Sequence, residues 1–132
     1  EWWEKVMAVN TLAPLAVAAR FIPHLERGKD KRIAFLTSRM GSIADNSSGG
    51  FYAYRASKAA LNAAVKSLSS ALEPKGIIAL LLHPGWVRTD MGGPNAPLDV
   101  AASVTGLRGV ISGAKMSESG HFMAYDGTEI PW

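Results

Sequence analysis

The feature that most constrains the fold of this chain is its alternation of long helical patterns with short runs that are apolar almost throughout. These runs are Arg32–Ser38, Ile77–His83 and Gly120–Tyr125. Runs of this length without polar alternation are typical of strands buried on both faces, as in parallel sheets. The order helix–strand–helix–strand–helix–strand therefore predicts an α/β fold, with a parallel sheet between layers of helices.

Three helical patterns accompany these strands. The first, from Glu1 to about Arg27, is apolar on most sides and has to be covered on more than one face. The second runs from about Phe51 to Leu72, and Asp99 is expected to cap the third, which reaches about Ser112. The inward stripe of the second helix is predicted at Leu61, Val65, Leu68 and Leu72.

The composition is that of one small folded domain. With 48% hydrophobic and 19% charged residues in 132, the chain is globular rather than disordered. It has no cysteine, which excludes disulfides and thiolate metal sites, and its histidines His24 and His121 have no neighbour that suggests a metal site. The densest basic run, Lys29–Arg32, lies in a turn and contains an acid, so we expect a solvated loop and no nucleic-acid partner.

No uninterrupted apolar stretch of membrane-spanning length occurs, so no membrane partner is expected. The first residues do not form a signal peptide, and we expect a cytoplasmic protein.

Tyr54 and Lys58 stand four residues apart at the start of the second helical pattern. On a helix this spacing puts both side chains on one face, one turn apart. A free tyrosine holds its proton too tightly for acid/base exchange at neutral pH, whereas a nearby ammonium favours the phenolate. Such a tyrosine can give a proton to a carbonyl oxygen and take it back. Without its surroundings, the same pair is more often two residues that only share a helix face.

The surrounding residues favour the catalytic interpretation. The stretch Tyr54–Asn62 reads Tyr-Arg-Ala-Ser-Lys-Ala-Ala-Leu-Asn and resembles the Tyr-x-x-x-Lys active-site helix of the short-chain dehydrogenase/reductases. The resemblance implies that Tyr54 is the acid/base, and that Lys58 favours its phenolate and holds the cofactor ribose. It covers nearly the whole chain, but only the C-terminal half of a family member.

A serine after the first strand is expected to bind the substrate carbonyl. Ser38 opens a Ser-x-x-Gly segment that looks like the family's pattern at this place, although the gap to Tyr54 is longer than usual. The residues Asp45–Gly50 look like the inserted loop. Ser42 is the competitor, because it lies nearer to Tyr54 in sequence, but Ser38 is favoured because it ends the strand. Either serine could instead satisfy only local backbone groups.

Asn10 resembles the family's helix asparagine, which completes a Ser-Tyr-Lys-Asn set. Pro14 removes the backbone donor that would bond the Asn10 carbonyl. Our hypothesis is that this carbonyl holds a water that links Asn10 to Lys58 and passes protons to the Tyr54 hydroxyl. Without such a role, Asn10 would be a polar residue on a wet helix face.

The segment after the second strand is expected to border the nicotinamide. It resembles the family's Pro-Gly segment and following threonine, which implies cofactor contacts at Pro84, Gly85, Val87 and Thr89. Taken alone, Pro-Gly after a strand is an ordinary turn. His83 is predicted to be structural, because its strand is otherwise made of buried residue types.

The phrases His83–Gly93 and Tyr125–Trp132 look like the sniffer-like and C-factor-like branch of the family, described as carbonyl reductases. This resemblance implies NADP or NAD as the cofactor, with NADPH preferred, and a small-molecule carbonyl or alcohol substrate. The substrate pocket is expected between the loop Arg39–Gly50 and the segment Trp86–Pro97, and loops of this kind vary freely on a shared scaffold.

A glycine-rich fingerprint between a strand and a helix, which seats a dinucleotide pyrophosphate, does not occur in these residues. The family carries it in the N-terminal half. We therefore interpret residues 1–132 as a single partial domain, the C-terminal half of a doubly wound Rossmann-like sheet, and expect it to be inactive alone. Its sheet edge and apolar helix faces would then be exposed.

Two other function classes stay open. One is a non-catalytic Rossmann-like module for signalling or subunit pairing, and the other is a truncated remnant without function. The apolar faces of helices 1–27 and 51–72 suit a homo-oligomer, or they belong to the core.

Overall fold

The computed structural model describes every residue from Glu1 to Trp132 and has the predicted α/β architecture. The helices are α1 (Trp2–Met7), α2 (Ala13–Arg27), α3 (Tyr52–Leu72) and α4 (Val100–Gly113). The strands are β1 (Arg32–Leu36), β2 (Ile78–His83) and β3 (Phe122–Ala124). All three predicted strands are confirmed, each shorter by one to three residues than its apolar run.

The strands form one parallel sheet in the order β1-β2-β3. In β1 and β2, Arg32 lies opposite Ile78 and Leu36 opposite Leu82. Because all strands run the same way, their carboxyl ends meet at one edge of the sheet, where functional groups gather in folds of this kind.

Both faces of the sheet are covered by helices, as the apolar runs predict. The larger core lies between the sheet and helices α2 and α3, and β2 contributes Ala79 and Leu81 to it. The alternate residues Leu80 and Leu82 point the other way and pack with partly buried side chains of α4. Of the predicted inward stripe of α3, three residues are buried and Leu68 is partly buried against the same core.

The first helical pattern is one continuous helix with a π-helical segment at Ala8–Leu12 between α1 and α2. The segment lies directly before Pro14. The Ala13 N–H bonds to the carbonyl of Ala8, five residues back instead of four. Pro14 has no N–H with which to continue the ordinary ladder, and it occupies the first turn of α2, where proline is tolerated.

Helix boundaries follow the local signals. The Asp99 carboxylate accepts a hydrogen bond from Ala102 N, so the predicted cap of α4 is confirmed. Helix α3 ends in a short 3₁₀ turn, after which Gly76 adopts φ +68°, a left-handed conformation that suits glycine.

The search for an uninterrupted apolar stretch did not detect one long apolar helix. The helix Trp2–Arg27 is long and apolar enough to cross a membrane by length and composition, with a mean hydropathy of 1.5 in its best window. The sequence argument considered only uninterrupted apolar runs, and the scattered polar residues of this helix broke them. Core helices of α/β proteins have the same composition. Thr11 bonds the backbone of α3, so the helix is part of the layer that covers the sheet.

Strand β1 lies at the edge of the sheet, as expected for a partial sheet. Between β1 and α2 lies an apolar groove of about 520 Å³ that Pro14, Val17 and Phe21 help to line.

Candidate active site

The carboxyl ends of β1 and β2 meet beside Ser38 and His83. Thr37 N–H donates to the Leu82 carbonyl at 2.9 Å, which continues the strand pairing past the end of β1. One residue beyond Ser38, the backbone N–H of Arg39 donates to His83 Nδ1 at 3.1 Å. The predicted serine therefore lies at the edge of the sheet that was expected to hold the site.

Tyr54 and Lys58 share one face of the first turns of α3. The Lys58 Nζ lies 5.8 Å from the centroid of the Tyr54 ring and donates to the Leu36 carbonyl at 3.2 Å. Burial lowers the pKa of the Lys58 ammonium. An ammonium has three N–H donors and this contact uses one, so two remain for a ligand.

The two candidate serines differ in what their hydroxyls bond. Ser42 Oγ donates to the Trp132 carbonyl at 3.3 Å and accepts from Asp45 N, so it holds the C-terminal residue and the loop. Ser38 Oγ accepts from Met40 N at 3.1 Å, and its hydroxyl hydrogen has no protein acceptor. Ser38 is thus the serine that can donate to a ligand.

Gly41 lets the turn after Ser38 lie directly on α3. A Cβ at Gly41 would lie 2.9 Å from Lys58 Cβ, closer than real Cβ atoms approach, and at a tight 3.0 Å from Asn62 Nδ2. Thr37 reinforces this contact by donating its hydroxyl to Asn62 Oδ1 at 2.7 Å. The glycine of the Ser-x-x-Gly segment therefore sets the distance between the serine turn and the lysine helix.

Asn10 lies in the π-helical segment and reaches α3 through Ser57. Its Nδ2 donates to Ser57 Oγ at 3.1 Å. The neighbouring Thr11 hydroxyl donates to the Ser57 carbonyl at 2.8 Å. The helix that carries Asn10 is therefore bonded to the helix that carries Tyr54 and Lys58 within the same turn.

The segment that follows β2, from Pro84 to Thr89, is fixed by contacts with α4 and with Leu98. Ser103 Oγ of α4 donates to the Pro84 carbonyl at 2.6 Å. Gly85 has φ +89°, a left-handed conformation that favours glycine, and a Cβ there would lie 2.7 Å from Leu98 Cδ2, so the Leu98 side chain would have to shift. Val87 pairs with Leu98 in an isolated parallel bridge.

Thr89 uses its side chain within the segment. Its Oγ1 accepts from Gly92 N at 3.1 Å and lies 3.4 Å from the Val87 carbonyl. This hydroxyl closes a local turn, and its predicted contact with a cofactor stays a prediction.

An apolar hollow of about 530 Å³ adjoins Tyr54 and Asn10. Phe51, at the amino end of α3, has φ +50°, a left-handed conformation that costs a bulky side chain about 1–2 kcal/mol. Met91 of the segment Trp86–Pro97 lines the hollow, whereas no residue of Arg39–Gly50 does. The substrate pocket predicted between these two segments stays a prediction. The start of the first helix packs across α3 and supplies much of the lining. The apolar lining includes Trp2, Trp3, Val6, Val9, Phe51 and Met91.

His83 is a neutral acceptor. Burial, with a smaller contribution from the Arg39 charge, lowers its pKa to about 4, while Asp126 acts in the opposite direction. Its Nδ1 accepts from Arg39 N, so the proton of the neutral ring lies on Nε2. These contacts agree with the structural role predicted for His83.

Several residues of this arrangement were missed by sequence reasoning. Ser57 and Asn62 are both buried, and Asn62 Nδ2 has no hydrogen-bond partner. The signal was available: Ser57 lies four residues before Leu61, on the same inward stripe as Val65. A polar residue on such a stripe needs a partner, so it marks a buried bond.

The profile of the family described as short chain dehydrogenase matches residues 1–97 of this chain. C-signal of Myxococcus xanthus is 52% identical over 128 residues, which are 97% of this chain and 77% of that protein. Among solved structures, the carbonyl reductase Sniffer of D. melanogaster has a TM-score of 0.91 and 42% identity, and covers 96% of this chain. The NADPH-bound carbonyl reductase from chicken fatty liver also has a TM-score of 0.91, with 34% identity over 98% of this chain.

The extent of these matches differs. The chain spans 55% of the Sniffer reductase and 57% of the chicken reductase. It is therefore similar to about half of each reductase fold, which agrees with the expectation of a partial Rossmann-like sheet.

Proposed function

The chain belongs to the short chain dehydrogenases, and from this premise we propose that its parent protein reduces carbonyl compounds with NADPH. The observation that carries the proposal is the pair Tyr54 and Lys58, with the ammonium 5.8 Å from the tyrosine ring centroid. At the carboxyl end of β1, Ser38 adds a hydroxyl that is free to donate. Both carbonyl reductases with a TM-score of 0.91 support the reaction, and the NADPH-bound one supports the cofactor.

In the proposed reaction Tyr54 gives its hydroxyl proton to the substrate carbonyl oxygen. Ser38 donates a hydrogen bond to the same oxygen and so orients the carbonyl carbon. The positive charge of Lys58 stabilises the phenolate that Tyr54 becomes. Asn10 is proposed to complete the relay that returns a proton to Tyr54, through the water held by its carbonyl.

The residues present fit the nicotinamide–ribose half of such a cofactor. Lys58 keeps two free donors beside Tyr54, which suit ribose hydroxyls, and Pro84, Gly85, Val87 and Thr89 are proposed to border the nicotinamide. A bound nicotinamide dinucleotide supplies the hydride to the carbonyl carbon. Residues 1–132 offer no glycine-rich phosphate loop, so we propose that they neither bind dinucleotide tightly nor turn over alone.

The hollow beside Tyr54 is proposed to take the body of the substrate. Its volume is within the range of small-molecule sites, and its aromatic and aliphatic lining suits a carbonyl compound with a sizeable apolar part.

The test is the NADPH consumption of the complete protein with a panel of apolar ketones, aldehydes and quinones. Tyr54→Phe and Lys58→Met should each lower kcat/KM by about 10²-fold or more, because each removes part of the acid/base group. Lys66→Met is the matched control, since Lys66 is an exposed lysine two turns further along the same helix. A wild-type protein that consumes neither NADPH nor NADH with any of these substrates would overturn the proposal.

The second candidate, a signalling module, is supported by the 52% identity to a relative named C-signal. A Tyr54→Phe protein that retains its full biological effect would favour it over the enzyme. Pairing of two copies through helices 1–27 and 51–72 also stays a proposal. It is supported by exposed apolar side chains such as Val9 and Leu12 and is tested by the molar mass in solution.

A further inference from the structure

Ser57 is the most completely buried polar residue beside the candidate site, with 0% of its surface exposed. Its hydroxyl accepts from Asn10 Nδ2 at 3.1 Å and donates to the Tyr54 carbonyl at 2.8 Å. Its own carbonyl accepts from Thr11 Oγ1 at 2.8 Å. One residue thus contacts the turn that carries Asn10 and the turn that carries Tyr54.

We propose that Ser57 is a positioning residue that sets the orientation of the Asn10 amide relative to Tyr54 and Lys58. This inference rests on the proposed function, because a held Asn10 side chain fixes the turn whose backbone carbonyl is proposed to hold the relay water. It assigns to the residue directly before Lys58 a role that is separate from the roles of the four predicted site residues.

The direction of the bonds is what sets the orientation. A serine hydroxyl has one hydrogen, and Ser57 gives it to the Tyr54 carbonyl. Only lone pairs then remain for Asn10, so the amide has to present its NH₂ group to Ser57 and not its oxygen. Asn10 Oδ1, which has no protein donor, is thereby turned away from Ser57. A flipped amide would place two acceptors against each other in a buried place, which is costly.

The positioning bond can be separated from the packing of the two helices. Thr11 bonds the backbone carbonyl of Ser57, and that carbonyl persists whatever side chain stands at position 57. Ser57→Ala therefore removes the hold on the Asn10 amide, while the bond between the helices remains.

The chain also provides a matched control. Ser69 lies on the same helix, is 4% exposed, and donates its hydroxyl to the carbonyl three residues back, Lys66, at 2.7 Å. Ser57 makes the same type of bond to Tyr54, but only Ser57 contacts Asn10. Ser69→Ala thus reproduces the loss of a buried hydroxyl and of a local bond, away from the site.

The experiment measures steady-state NADPH-dependent reduction by the complete protein. Ser57→Ala should lower kcat about 10- to 100-fold, as expected for a misplaced relay group, and leave the KM for NADPH within about twofold. Ser57→Cys, which keeps a weak donor and acceptor of similar size, should recover part of the rate. Ser69→Ala should leave kcat unchanged. A Ser57→Ala enzyme with wild-type kcat would overturn the proposal.

A double-mutant cycle tests whether Ser57 acts through Asn10. In an Asn10→Ala background, Ser57→Ala should lower kcat by less than about twofold, because the side-chain bond through which Ser57 acts is already gone. Independent effects that multiply would overturn the proposal, since Ser57 would then act by another route.

A second measurement does not need activity. The side-chain amide NMR signal of Asn10 should shift, and its hydrogen exchange should accelerate, in Ser57→Ala but not in Ser69→Ala. If the wild-type protein reduces no carbonyl compound, the proposed function fails, and this signal still decides the positioning role. An unchanged Asn10 amide in Ser57→Ala would overturn it.

Discussion

The backbone N–H of Arg39 donates a hydrogen bond to Nδ1 of His83, at 3.1 Å, across the carboxyl ends of β1 and β2. The contact holds the turn after Ser38 against the neighbouring strand. It needs a neutral imidazole, because a protonated ring has no lone pair left to accept with.

The stability of the protein should therefore depend on the protonation of His83. Its folded-state pKa is about 4, below the ordinary value of 6.5, so the unfolded chain binds more protons between these two values. The stabilising contribution is present above about pH 6.5 and is lost as the pH falls towards about 4. Urea unfolding of the complete protein at about pH 7.5 and about pH 5 should show this loss.

His83→Asn keeps an acceptor near the position of Nδ1 but does not titrate, so its stability should change less over the same pH interval. His24→Asn, on the exposed end of α2, controls for the replacement of a histidine as such. Equal pH dependence in the wild type and in His83→Asn would contradict the assignment.

Gly41→Ala should destabilise the protein and disturb Lys58. The added methyl would lie 2.9 Å from Lys58 Cβ and 3.0 Å from Asn62 Nδ2, so the serine turn has to move away from α3. We expect a loss of about 1–3 kcal/mol in the free energy of unfolding and a higher KM for NADPH. Gly109→Ala is the control, because a Cβ there meets nothing within 4 Å and alanine favours the interior of α4. If Gly41→Ala is as stable as Gly109→Ala, the turn after Ser38 can accommodate a methyl group, and the close contact with α3 does not require glycine.

Pro14→Ala should slow turnover without much change in NADPH affinity. Alanine restores the N–H that can bond the Asn10 carbonyl, so the water proposed to link Asn10 with Lys58 loses its acceptor. The π-helical segment before position 14 should revert to an ordinary α-helix. Pro23→Ala, in the interior of the same helix but away from the site, should leave turnover unchanged. An unchanged rate in Pro14→Ala would rule out the relay through this water.

The helices and strands of this fold can be predicted from the sequence where neighbouring residues determine them. The apolar runs around Phe35 and Leu81 are strands because only a two-sided core accepts them, and Asp99 caps α4 because its side chain meets nearby N–H groups. The Tyr54–Lys58 pair follows from helix geometry alone. The preference for Ser38 over Ser42 also came from a local feature, the end of a strand, and the bonds of the two hydroxyls support it.

The remaining features depend on which distant segments meet. Ser57 contacts Asn10 across 47 residues of sequence, and Thr37 contacts Asn62 across 25. Helix periodicity could have placed Ser57 on the buried stripe of α3, but it could not show which helix supplies its partner. The hollow beside Tyr54 also depends on a distant contact, because the start of the first helix packs across α3 and supplies much of its lining.

Replacing Phe51 should separate backbone strain from substrate contact. Its left-handed backbone, φ +50°, is costly for phenylalanine but tolerated by asparagine, and its ring lines the hollow beside Tyr54. Phe51→Asn should therefore stabilise the protein by about 1 kcal/mol and raise the KM for apolar ketones several-fold, with little effect on small polar aldehydes. Phe51→Leu keeps both the strain and an apolar side chain, so its stability and its KM should stay near those of the wild type. If Phe51→Asn leaves the KM for apolar ketones unchanged, the hollow does not hold the body of the substrate, and the strain at Phe51 has to be explained by the start of α3 alone.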